Sequence, residues 1–181
     1  MHILHLHKEN YKVSQWSGGT TTEVFIWPEG ADYASRDFSL RISSATVELE
    51  ESDFTTLPGV IRWIVPLQGG FTLTHPDTEP VVLAPLDPPY RFSGEVATHC
   101  VGCATDFNLM LKGVAGRMDI CRETAPVSPG LNCLYAAEDC TISIDNMRYQ
   151  LVTGESLVVF SEDAYSAILS GGAVIRCYAT L

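Results

Sequence analysis

Two arginines are the residues of this chain best suited to do chemistry. Arg62 interrupts the run Val60-Ile-Arg-Trp-Ile-Val65, which otherwise has the character of a strand buried on both faces. A guanidinium in such a run must be paired, because an uncompensated interior charge is strongly unfavourable. Its planar fork of donors grips a carboxylate through two parallel bonds. Glu23, Asp106 or the carboxylate of a ligand would each satisfy it. Arg41 shares one side of its strand with Ser39 and Ser43, opposite Phe38, Leu40 and Ile42. Such a polar side either meets solvent, the commoner arrangement in antiparallel sheets, or lines a wet cavity.

Other reactive constellations are weaker. His5-Leu-His7 with Glu9 close behind has the residue types of a divalent-metal centre. It stands ahead of the strands that would build a barrel, however, and the stretches 64–67 and 134–137, which lead into the turns, contain no histidine. His75 lies beside Pro76 in a turn and His99 stands alone, so no metal set and no cofactor are expected. Cys100 and Cys103 form a C-x-x-C pair, but no second pair follows at comparable spacing. The six cysteines therefore read as reduced, mostly buried thiols. Gly18-Gly19 before Thr20-Thr-Thr-Glu23 lacks the lysine of a phosphate-binding loop and reads as a tight turn. No G-x-S-x-G elbow is present.

Composition limits the partners. The chain of 181 residues carries 11 basic and 22 acidic side chains, a formal net charge of −11. That balance repels phosphate backbones and anionic membrane surfaces, so neither nucleic acid nor membrane is expected as a partner. No stretch approaches the roughly 20 apolar residues of a membrane span, and the N-terminal MHILHLHKENYK does not resemble a secretory signal. A cytoplasmic protein is the expectation. A hydrophobic content of 46% is enough for a real core.

The elements that must position the arginines are strands. Phe38 to Ser44 alternates apolar and polar residues, and Val60 to Leu67 turns through Gln68-Gly-Gly70 into Phe71-Thr-Leu-Thr74. Further strands are predicted around residues 81–83, 90–92, 106–111, 141–144, 149–152, 156–160, 165–169 and 173–178. Leu67-Gln-Gly-Gly-Phe-Thr-Leu-Thr74 and Ala136-Ala-Glu-Asp-Cys-Thr-Ile-Ser143 begin two similar series, each ending in Phe-Ser (Phe92-Ser93 and Phe160-Ser161). The pattern predicts an all-β bicupin: one compact domain over 1–181 made of two cupin-like jelly-roll halves, 1–122 and 123–181. Glu123-Thr-Ala-Pro-Val-Ser-Pro-Gly130 reads as the connection between them.

Six motifs follow one another along the chain: Trp16-Ser-Gly-Gly-Thr-Thr-Thr-Glu23, Phe38 to Ala45, Phe54-Thr-Thr-Leu-Pro-Gly-Val-Ile-Arg62, Leu67-Gln-Gly-Gly70, Phe92-Ser-Gly-Glu95 and Asp106-Phe-Asn-Leu-Met110. In this order they resemble those of the HutD/Ves family. The resemblance covers residues 11–111 well and thereafter rests on barrel layout. It implies a bicupin without the usual cupin metal set, in a family associated with histidine utilisation in some bacteria and with stress or cold response in others. Carried over position by position, it makes Trp16, Thr22, Glu23, Arg41, Arg62, Asp106 and Asn108 the pocket residues. Thr22 stands where the family form N-G-G-G-T-T-R-E has arginine, and the family's asparagine is missing. The expected function is binding or sensing of a small anionic metabolite. The alternative is a metal-independent isomerase or hydrolase using Glu23 or Asp106 as general acid–base, and a third reading is a homodimeric structural module.

Overall fold

The computed structural model describes all 181 residues, Met1–Leu181. It contains nineteen strands, one short 3-10 turn at Lys8–Asn10 and no α-helix. The expected all-β class is what is found, and no helix is long and apolar enough to cross a membrane. The chain divides into two compact units: a central one, Lys12–Gly113, and a terminal one, Met1–Tyr11 with Val114–Leu181.

Strand β1 (His2–Leu6) opens the chain and belongs to the terminal unit. The central unit carries β2 (Lys12–Trp16), β3 (Gly19–Trp27), β4 (Leu40–Val47), β5 (Glu51–Asp53), β6 (Val60–Gly69), β7 (Phe71–Thr74), β8 (Val81–Leu83), β9 (Tyr90–Ser93), β10 (His99–Val101) and β11 (Ala104–Lys112). The terminal unit resumes with β12 (Gly116–Cys121), β13 (Thr124–Val127), β14 (Gly130–Ala136), β15 (Cys140–Ile144), β16 (Met147–Leu151), β17 (Ser156–Ser161), β18 (Tyr165–Gly171) and β19 (Val174–Ala179).

In the central unit one sheet runs β2-β3-β4-β11-β6-β9 and the other β5-β10-β7-β8. In the terminal unit the orders are β1-β17-β14-β19-β12 and β13-β18-β15-β16. Raising each number in β4-β11-β6-β9 and β5-β10-β7-β8 by eight gives the corresponding part of the terminal unit, so the repeat seen in the sequence is a repeat of topology. Alternation then puts apolar residues of both sheets between them. Ile64, Phe71, Leu73, Leu83, Phe92, Cys100 and Ala104 form that interior in the central unit. Leu134, Ala136, Ile142, Ile144, Leu157, Val159, Ala167 and Val174 are part of its counterpart in the terminal unit.

The boundary differs from the one expected at 122/123. It falls after Gly113, and the first eleven residues join the terminal unit. The sequence is misleading there because Glu123 to Gly130, read as a connection, contains Pro126 within β13. Proline cannot donate to a sheet ladder, but β13 is an edge strand, where that loss is tolerated.

Candidate functional site

The site is built on three adjacent strands. Met110 of β11 pairs with Arg41 of β4 on one side and with Arg62 of β6 on the other. Two residues along, Asn108 lies between Ser43 and Ile64, and then Asp106 between Ala45 and Pro66. Side chains two apart on a strand share a face. Arg41, Ser43 and Ala45 therefore line one cavity of about 380 Å³ together with Asp106, Asn108, Met110 and Arg62. That volume suits a small molecule.

Around the two arginines of the cavity the charges are sorted into two groups. Arg41 donates from Nε to Glu23 Oε2 at 2.7 Å and from Nη1 to Ser43 Oγ at 3.2 Å, and its guanidinium lies 4.1 Å from the centre of the Tyr33 ring. At 6% exposure Arg41 lines a cavity, the second of the two arrangements open to its face. Glu23, opposite Ser43 on the neighbouring β3, is consumed by that pair. Arg62 instead donates from Nη2 to Asn108 Oδ1 at 3.0 Å, and Asn108 passes a hydrogen bond from Nδ2 to Asp106 Oδ1. Neither carboxylate that the sequence offered is in direct contact with Arg62: one is held by Arg41 and the other is reached through an amide. The Nε of Arg62 is buried without a partner, and the rings of Phe54 and Phe92 lie 4.6 and 5.2 Å from the guanidinium carbon.

Burial dominates the electrostatics. It pushes the Asp106 carboxyl up to about 7, against the opposing effects of Arg62, a backbone hydrogen bond at Ala45 and the Asn108 amide. Burial also lowers the pKa of Arg62, which the charge of Asp106 counteracts. A buried cation thus sits near a carboxyl that gains and loses its proton near neutrality.

The β2–β3 hairpin and two loops also line the cavity. Trp16 lines the cavity at 43% exposure. It pairs with Gly19, whose φ of +148° and close approach to the Thr46 carbonyl leave no room for a side chain. A Cβ on Gly18 would strike the Trp16 ring, so the expected glycine turn is also the seat of the indole. Thr22 is a correction. It pairs with Ser44, on the opposite face from Ala45 and Ser43, and it is Thr21 that lines the cavity. Tyr33 and Phe54 also line it and were not anticipated, because both lie in irregular segments without a periodic signal.

With this geometry in view, a family model for HutD matches residues 8–175. The chain belongs to the HutD family. A conserved protein of unknown function from Pseudomonas aeruginosa, PA5104, is similar at 23% identity over 100% of both chains, with a TM-score of 0.87. HutD from Pseudomonas fluorescens, solved in a formate condition, is similar at 22% identity over 99% of this chain and 98% of that one, with a TM-score of 0.83. The bacterial pirin YhhW from Escherichia coli, solved in complex with nickel(II), shares 10% identity over 99% of each chain, with a TM-score of 0.64. No curated protein matches by sequence. The fold of this HutD-family chain is cupin-like.

Two groups of reactive side chains lie outside the cavity. Cys100 is buried and Cys103 exposed, both are free thiols, and Cys103 Sγ lies 3.4 Å from the Glu48 carbonyl oxygen. The histidines of the N-terminal H-x-H pair fare differently from their expectation. Strand β1 is the edge strand of a terminal-unit sheet and not a segment ahead of the fold, and His5 and His7 converge on Glu155. The acid is supplied from the far end of the sequence, so Glu9 gave the wrong partner.

Proposed function

We propose that the central unit binds a small carboxylate-bearing metabolite, with Arg62 as its anchor. The observation that carries this reading is a buried guanidinium facing a cavity with one hydrogen bond to a neutral amide and none at Nε. A carboxylate brought to it gains charge-assisted bonds that the chain itself does not supply. Trp16 offers an apolar wall, while Asn108, Ser43 and Thr21 offer polar contacts. The role is sensing or buffering that metabolite in the cytoplasm, in keeping with a family tied to histidine utilisation. No metal in this cavity is required.

The test is a thermal-shift and calorimetric screen against formate, glutamate, its N-formyl and N-formimino derivatives, and short dicarboxylates. A ligand specific for the native state raises apparent stability by mass action. Arg62→Lys keeps the fold and weakens binding by about 1–3 kcal/mol, the range for a charge-assisted hydrogen bond. Unchanged affinity in that variant removes Arg62 as the anchor.

A second reading is supported by Asp106. A carboxyl with a pKa of about 7 beside a cavity is suited to general acid–base catalysis at neutral pH. Metal-independent isomerisation or hydrolysis is the reaction class. Incubation of each bound compound with the protein, followed by mass spectrometry, distinguishes the two: a binder returns its ligand unchanged.

A further inference from the structure

His5 lies in β1, which is hydrogen-bonded to β17 with His5 opposite Leu157, and His7 follows directly after the strand's last residue, Leu6. Ile3, on the same face as His5, packs against the terminal-unit core, as do Leu157 and Val159 of β17. Glu155, two residues before Leu157, directs its carboxylate at both imidazoles. His7 Nδ1 lies 2.5 Å from Oε1 and His5 Nε2 lies 3.5 Å from Oε2. The two rings are 4.2 Å apart between centroids.

The surroundings hold these groups in place. The backbone N–H of His7 donates to Asn10 Oδ1 at 2.7 Å, fixing the exit from β1. Oε2 of Glu155 accepts the Val152 N–H at 3.1 Å, which fixes the carboxylate. His5 packs edge-on against the Tyr149 ring at 6.1 Å. A single ion pair does not explain the set, because His5 Nε2 is buried and makes no hydrogen bond.

We infer that His5, His7 and Glu155 form a divalent transition-metal site separate from the arginine cavity. The three ligand atoms all lie within 4.8 Å of one another. Metal–ligand bonds of about 2.0–2.2 Å place neighbouring ligand atoms roughly 3–4 Å apart, so a small movement of half-exposed His7 completes the geometry. Two imidazoles and one carboxylate favour Zn²⁺, Ni²⁺ or Cu²⁺ over Mg²⁺ or Ca²⁺, and three protein ligands leave a position for water. The ion joins β1 to the turn before β17, fastening the N-terminal strand to its sheet.

The experiment uses the full chain, chelator-treated and with thiols reduced, titrated with Zn²⁺ and separately with Ni²⁺ against a chromophoric chelator. One ion per chain and a rise in melting temperature are expected. His7→Gln lowers affinity at least as much as the ~10–100-fold that loss of an outer hydrogen-bond partner costs at a metal site. Glu155→Gln does the same while keeping an oxygen for Val152 N–H, so failure of the turn is separated from loss of the ligand. Cys100→Ser/Cys103→Ser binds as wild type does. Binding retained in His5→Gln/His7→Gln, or abolished by the cysteine changes, overturns the assignment, as does the absence of saturable binding at micromolar metal.

Discussion

In the central unit a buried arginine on β6, Arg62, donates to an asparagine on β11, Asn108. In the terminal unit the arginine is on β19, Arg176, and the asparagine on β14, Asn132. The strands correspond, and so do the positions. Ile64 faces Asn108 across the central pair as Leu134 faces Arg176 across the terminal pair. The two residue types have therefore exchanged strands. The decisive difference lies one strand further. Opposite Asn108 is Ser43, whereas opposite Arg176 is Asp119, and Arg176 donates to that carboxylate at 2.9 Å. Arg176 also reaches Ser128 Oγ at 2.8 Å and Asn132 Oδ1 at 3.2 Å, so although Nε is bare in both arginines, its two Nη groups are employed. A carboxylate placed in the neighbouring strand makes an arginine part of the frame. Serine in the equivalent place leaves Arg62 with no carboxylate of the chain in direct contact.

Replacing each arginine in turn is the strongest way to break this contrast. Arg176→Met is expected to destabilise the protein by about 3–5 kcal/mol, the cost of removing one partner of a buried pair. Asp119 retains Arg117, which places the result at the low end. Arg62→Met leaves no directly paired carboxylate behind and costs clearly less, while abolishing ligand binding. Urea unfolding of both variants measures the difference. Equal losses would mean that Arg62 is as structural as Arg176.

Asp106 sharpens the comparison through pH. Because its carboxyl is raised from 3.8 to about 7 in the folded chain, the native state holds the proton more tightly than the unfolded state between those values. The associated stability is fully present below 3.8 and is lost as pH rises through about 7. The gap sets a ceiling on the order of 4 kcal/mol. Asp106→Asn keeps one acceptor but loses the other, so a gain of about 2 kcal/mol at pH 8 relative to wild type is expected, shrinking toward pH 5. Binding of an anion follows the same group: in the wild type it tightens as Asp106 takes up its proton, and in the variant it does not. Parallel pH profiles of stability for the two proteins would show that this carboxyl does not titrate near neutrality.

Much of this was legible in the sequence. The alternation from Phe38 and the glycine turns at Gln68-Gly-Gly70 announced the strands, and the two Phe-Ser endings announced the topological repeat. Arg62 stood out because a permanent cation in Val-Ile-Arg-Trp-Ile-Val must be paired, by a carboxylate of the chain or by one of a ligand. What composition and spacing could not supply was register. Glu23 goes to Arg41 because it lies opposite Ser43, at the edge of an irregularity in the β3–β4 ladder, and no local pattern announces such a shift. Nor could spacing bring Glu155 to His7 across 148 residues, or predict that Tyr33 and Phe54, in loops, would wall the cavity.

Register also yields the smallest effect, and the most specific. Thr21 and Thr22 are adjacent and chemically identical, and only their position on β3 separates them. Thr21 lies opposite Ala45 and lines the cavity, whereas Thr22 lies between Val13 and Ser44 with its side chain on the other face. Threonine to valine keeps the shape and removes the hydroxyl, so each substitution reports on a single hydrogen-bonding group. Thr21→Val is expected to weaken carboxylate binding by about 0.5–1.5 kcal/mol, the net value of one neutral hydrogen bond. Thr22→Val is expected to leave affinity within about 0.5 kcal/mol of wild type, as a substitution away from the site does. Calorimetry with the same ligand on both variants decides the matter. The reverse pattern would shift β3 by one residue, turn Glu23 away from Arg41, and leave both arginines of the cavity, Arg41 and Arg62, in need of a carboxylate.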